Sequence, residues 1–95
     1  MVIVSGWLRV APGDRSGYLE ACRAVIEAAR AAPGCIDFHL SADPIEDGRI
    51  NVFEQWESVE AVETFRGSGP GDDQQSMIVD AHVEQHEIAD TVSLT

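Results

Sequence analysis

The segment Arg49-Ile50-Asn51-Val52-Phe53-Glu54-Gln55-Trp56-Glu57-Ser58-Val59-Glu60-Ala61 changes its hydrophobic period from two to about 3.6 at Trp56. A strand therefore turns directly into a helix there. Ser58 is a good helix N-cap, and Glu57 and Glu60 stand where a helix N-terminus favours negative charge. An indole at such a turn serves either as core filler or as the wall of an aromatic pocket.

The elements upstream of that junction alternate in the same way. Val2 to Val10 is rich in β-branched residues and reads as a strand, broken by Pro12-Gly13-Asp14. Tyr18, Leu19, Cys22, Val25, Ile26 and Ala29 then recur at helical spacing, opposite Glu20, Arg23, Glu27 and Arg30. Asp14 or Ser16 is placed to cap this helix, and Pro33-Gly34 to stop it. Cys35 to Ala42 is a second strand, joined through Asp43-Pro44-Ile45-Glu46-Asp47-Gly48 to the strand that ends at Trp56. Pairing Phe38 with Glu54 and Leu40 with Val52 gathers the apolar residues on one face and sends His39 to the other; a one-residue slip reverses that assignment.

Past the junction, a short helix runs from Val59 to about Arg66. Gly67 to Gly71 reads as a mobile connection or lid, and Asp72 with Gln75 makes a capping-box pattern ahead of Met77 and Ile78. A last strand is expected from about His82 to Val92. The order strand, helix, strand, strand, helix, strand fits one domain over residues 1–95: an α+β ferredoxin-like sandwich with an antiparallel sheet and helices on one face. The bare face of such a sheet, carrying Ile3, Trp7 and Arg9, calls for a second copy to cover it, so a homodimer is expected.

Charge narrows the chemistry. Six arginines and no lysine stand against 17 acidic residues, a net charge of −11. Nucleic acid and anionic membrane are therefore poor partners, and Schiff-base chemistry and lysine-dependent phosphate loops are excluded. Without a membrane-length apolar run or a secretory leader, the expected location is cytoplasmic. Cys22 and Cys35 fit no zinc or redox spacing and read as buried thiols; with three scattered histidines they make no recognisable metal-ligand cluster.

Pro33-Gly34-Cys35-Ile36, the alternating strand after it, Phe53-Glu54-Gln55-Trp56-Glu57-Ser58 and Glu60-Ala61 resemble the antibiotic biosynthesis monooxygenase domain family, in order and spacing over most of the chain. The resemblance implies a dimeric α/β barrel and, as one activity of that family, oxygenation of anthrones and quinols without a cofactor; haem-degrading enzymes and isomerases also belong to it. In its polyketide-type oxygenases an Asn lies four residues before the strand-end Trp and a Tyr six after it. Here those positions are Val52 and Val62, and Asn51 falls on the opposite strand face. The places of the haem-degrading Asn, Trp and His correspond to Gly6, Phe65 and the His-free segment 67–81, which disfavours haem.

On that reading the substrate is a small electron-rich aromatic and the co-substrate is dioxygen. Trp56, Phe38, Leu8 and Phe65 would line the pocket, Gly6 would leave room, and Glu54, His86 or His39 would be the base. Each has a plainer role: Trp56 as core, Glu54 paired with an arginine, the histidines as hydrogen-bonders on a dimeric sheet. Turnover without oxygen consumption would instead indicate an isomerase, and no turnover a non-catalytic dimeric module that binds a small ligand.

Overall fold

The computed structural model describes residues 1–67 and 76–95. Four strands, β1 (Val2–Val10), β2 (Cys35–Ala42), β3 (Arg49–Trp56) and β4 (Ile78–Glu87), form one antiparallel sheet in the order β2-β3-β1-β4. The helices α1 (Arg15–Ala31) and α2 (Val59–Gly67) complete the expected α+β ferredoxin-like sandwich.

Register follows the hydrophobic pattern. Phe38 pairs with Glu54 and Leu40 with Val52, as expected. Alternation then puts Val2, Val4, Gly6 and Leu8 of β1 on the helix side, with Ile50, Val52, Glu54 and Trp56 of β3. Two apolar clusters fill that side. One joins Val2, Val4, Ala29, Phe38, Trp56 and Val62; the other joins Val10, Tyr18, Cys22 and Ile50. Inside the second, burial and the neighbouring Cys22 push the Tyr18 hydroxyl up to about 12.

Helix ends show which caps operate. Ser58 Oγ accepts the backbone N–H of Ala61 at 3.2 Å, so the expected N-cap of α2 is in place. By contrast, α1 is entered through a single 3-10 turn at Pro12–Asp14, and the Asp14 side chain makes no capping bond. At its far end, α1 gives way to Gly34, whose φ of 83° only glycine adopts cheaply, and a Cβ there would crowd Ala61 of α2.

The last strand departs from expectation. It begins at Ile78 and ends at Glu87, rather than spanning His82 to Val92. Its length is set by its partner: β4 pairs along β1 from Val10 to Val2, with a bulge between Arg9 and Val10. Beyond Glu87 one further bond joins Ile88 N–H to Met1 O. Met77 lies in a turn and Ile78 in the strand, so neither continues a helix after the capping-box pattern. That pattern and the expected lid from Gly67 to Gly71 lie outside the described residues, apart from Gly67, which ends α2.

Candidate active site

Strand pairing lays the helix-facing side chains out in rows. One row runs Phe38, Glu54, Val4, Gln85 across β2, β3, β1 and β4; the next runs Leu40, Val52, Gly6, Val83. Glu54 is thus a carboxylate in a row otherwise apolar until β4. On its own strand Trp56 lies two residues on, on the same face, and is 0% exposed.

The indole and the carboxylate meet directly. Trp56 Nε1 donates to Glu54 Oε1 at 3.0 Å. Around them, Phe65 of α2 lies 5.4 Å from the Trp56 ring and edge-on to Phe38 at 5.8 Å, and Phe38 stands edge-on to Trp56 at 6.5 Å. These spacings are those of favourable aromatic pairs. Three rings from β2, β3 and α2 therefore cluster beside a single acidic group, which Trp56 touches directly and Phe38 faces across the strands.

Burial raises the Glu54 carboxyl above the ordinary carboxylate range, while the Trp56 hydrogen bond and the Arg66 charge pull it partly back. Burial first, then the charges of Asp37 and Glu54, also raises the Cys35 thiol, with Arg30 opposing. Cys35 pairs with Trp56 at the end of β2 and, being largely a neutral thiol at pH 7, is not a ready nucleophile there.

The structure brings together Glu54, Trp56, Phe38 and Phe65 and separates the other residues expected beside them. Leu8 packs with the second cluster, two rows from Glu54. Gly6 has φ 149°, and a Cβ there would overlap the His82 carbonyl, so glycine is required for the approach of β4. His39 pairs with Phe53, and His86 with Ile3, on the face away from the helices. Within one chain neither histidine reaches Glu54 from there.

Two polar residues that sequence reasoning did not single out border the site. Arg66, in the last turn of α2, donates from Nη1 to Gln85 Oε1 at 3.2 Å. Gln85 shares the row of Glu54, so this bond spans from α2 to β4 on the side where Val83 and Gln85 remain exposed. The signal for Gln85 was its parity on β4, readable only once that strand's pairing was known. A separate open depression of about 470 Å³ between the end of α1 and the start of α2 is lined by Gly34, Glu57, Glu60, Thr64 and Phe65, among others, and touches neither Glu54 nor Trp56.

No group of three or more metal-ligating side chains occurs among the described residues. Nor is any helix among them long and apolar enough to cross a membrane.

Comparison with known proteins gives the same fold. The sequence model for antibiotic biosynthesis monooxygenase matches residues 1–87. A Deinococcus radiodurans structure bearing that name superposes with a TM-score of 0.86 at 21% identity, covering 100% of this chain and 99% of its own. A Mycobacterium tuberculosis structure is similar at TM-score 0.79 and 24% identity, with 97% and 98% covered. A curated relative, an uncharacterised protein of Synechocystis sp., is 29% identical over 62 residues, which are 65% of this chain and 42% of that protein. The match thus spans less than half the length of the Synechocystis protein.

Proposed function

Because the chain belongs to the antibiotic biosynthesis monooxygenase family, we propose that it is a homodimeric oxygenase acting on a small electron-rich aromatic, of quinol, phenol or anthrone type, with dioxygen and no metal or prosthetic group. The observation that carries this reading is the Glu54 carboxylate, raised by burial and held 3.0 Å from Trp56 Nε1 within a cluster of aromatic rings.

An anthrone illustrates the steps. Glu54 accepts a proton from the substrate's acidic carbon, and the apolar surroundings keep water from competing. The carbanion passes one electron to dioxygen, and the resulting radical pair joins to form the C–O bond. The peroxide takes back the proton, then loses water as its O–O bond breaks and the second hydrogen leaves the carbon. One oxygen atom ends in the new carbonyl and the other in water; substrate and dioxygen supply all the electrons.

Each residue has a task in that sequence. Trp56 fixes the carboxylate by its N–H and keeps one oxygen oriented. Phe38 and Phe65 supply apolar ring contacts, and Arg66 with Gln85 gives polar contact at the exposed side near β4. A raised carboxyl suits a base that must also return its proton, because such exchange works best when the pKa approaches the working pH.

One observation favours a second reading, a non-catalytic dimeric module that binds a small ligand. Val52 and Val62, where the polyketide-type oxygenases carry Asn and Tyr, are 8% and 0% exposed and serve as core. Oxygen uptake with a panel of quinols and anthrones separates the two. The oxygenase consumes dioxygen in proportion to quinone formed; the module binds without consumption; an isomerase on this scaffold converts substrate with no oxygen used.

A further inference from the structure

All three histidines of the chain lie on the sheet face that the helices leave bare. Rows across that face read Asp37, Gln55, Ile3, His86; then His39, Phe53, Ser5, Glu84; then Ser41, Asn51, Trp7, His82. The His39 ring stacks on Phe53 at 5.3 Å, and the His82 ring on Trp7 at 6.2 Å. Arg9 and Arg49 lie over the same Trp7 ring, at 5.2 and 5.7 Å.

The charges on this face divide into two sets. Arg9 and Arg49 meet Glu46 at 3.2 and 3.1 Å, and Arg49 also meets Asp43 at 3.9 Å, so two cations answer two carboxylates. The remaining acids are Asp37, Asp80 and Glu84, and their neighbours are the histidines. His39 Nε2 lies 3.5 Å from Asp37, His82 Nε2 lies 2.9 Å from Glu84, and His86 follows Glu84 on the same side of β4. Asp80 precedes His82 on that side and is paired with Arg9 across the strands. Among the described residues, the face therefore holds three surplus carboxylates when its imidazoles are neutral and none when all are protonated.

We infer that this face closes against the same face of a second copy, and that closure takes up protons on His39, His82 and His86, making the dimer tighter at pH 6 than at pH 8. The inference rests on the homodimer reading above. In a two-fold pairing the same patch meets itself, so each surplus carboxylate of one copy adds to those of the other. Repulsion among them grows as water is excluded and the effective dielectric falls. Histidine is the side chain whose charge changes between about pH 5 and 8, and here imidazolium is the counter-charge within reach of those acids. Protons bound on association mean that the dissociation constant rises with pH.

Sedimentation equilibrium of the intact protein between pH 6 and pH 8 tests this. The expected result is a dissociation constant at least tenfold larger at pH 8, with added salt restoring part of the loss by screening. The triple variant His39→Gln, His82→Gln, His86→Gln should stay folded by circular dichroism and dimerise with little pH dependence. A pH dependence that survives in that variant overturns the assignment to histidine. A wild-type dimer equally tight or tighter at pH 8 overturns the inference alone, and a monomer at every pH and concentration overturns the dimer reading with it.

Discussion

Glu54 and Trp56 form a coupled pair. A carboxyl whose pKa is raised by folding binds its proton more tightly in the folded state. Its contribution therefore favours the fold below the unfolded carboxyl range and is lost as pH rises through the raised value. Glu54→Gln keeps an oxygen to accept the indole N–H and removes the half-buried charge. Its melting temperature relative to wild type should climb between pH 4 and pH 7, as differential scanning fluorimetry would show. Trp56→Phe keeps the ring but leaves the carboxylate without its donor. That change should cost about 1–3 kcal/mol at pH 7, the range for an acceptor deprived of its partner, and less at pH 4. An equal cost at both pH values would mean that the indole acts only through its volume.

At the scale of elements, β2, β3 and their junction with α2 were legible in the sequence through alternation and the Ser58 cap, while the register that pairs Phe38 with Glu54 and Leu40 with Val52 was one of two that differ by a single residue, and the structure selects it. β4 was not legible. Ala81, Val83 and Gln85 alternate with Asp80, His82, Glu84 and His86, yet both sets stay exposed, so burial gives no strong signal of parity or length. The extent of β1 and the bulge at Arg9 and Val10 decide both, which is why His86 emerged on the face opposite Glu54. The hairpin between β2 and β3 illustrates a local determinant. Asp43 accepts from the backbone N–H groups of Ile45 and Glu46 and from Asn51 Nδ2, and those bonds, Asn51 first, hold its carboxyl down at about 2. The resulting stability is present above the unfolded value of 3.8 and fades as pH falls through about 2. Asp43→Ala should therefore melt below wild type at pH 7, with the gap narrowing between pH 4 and pH 2.

For the whole molecule, one sheet carries two contrasting faces. The helix side holds the ring cluster and the half-buried Glu54; the bare side holds the histidines, Trp7 and paired arginines. The fold followed from the order of strands and helices, and Phe38, Glu54 and Trp56 share a face through alternation in two strands, with Phe65 brought to them by the helical spacing of α2. Arg66 and Gln85 escaped because their meeting joins α2 to β4, elements distant in sequence whose relation no local pattern encodes. The same long-range dependence placed Leu8 in the second cluster.

The central claim is that Glu54 is the base of an oxygenation whose electrons come from the substrate. It is tested most directly by measuring dioxygen consumed and quinone formed from an anthrone, with wild type and Glu54→Gln side by side. The account predicts one dioxygen per quinone with no peroxide released, and a rate at least ~10²-fold lower in the folded variant, the usual contribution of a general base. An undiminished rate in Glu54→Gln, or quinone formed without matching oxygen uptake, would contradict it.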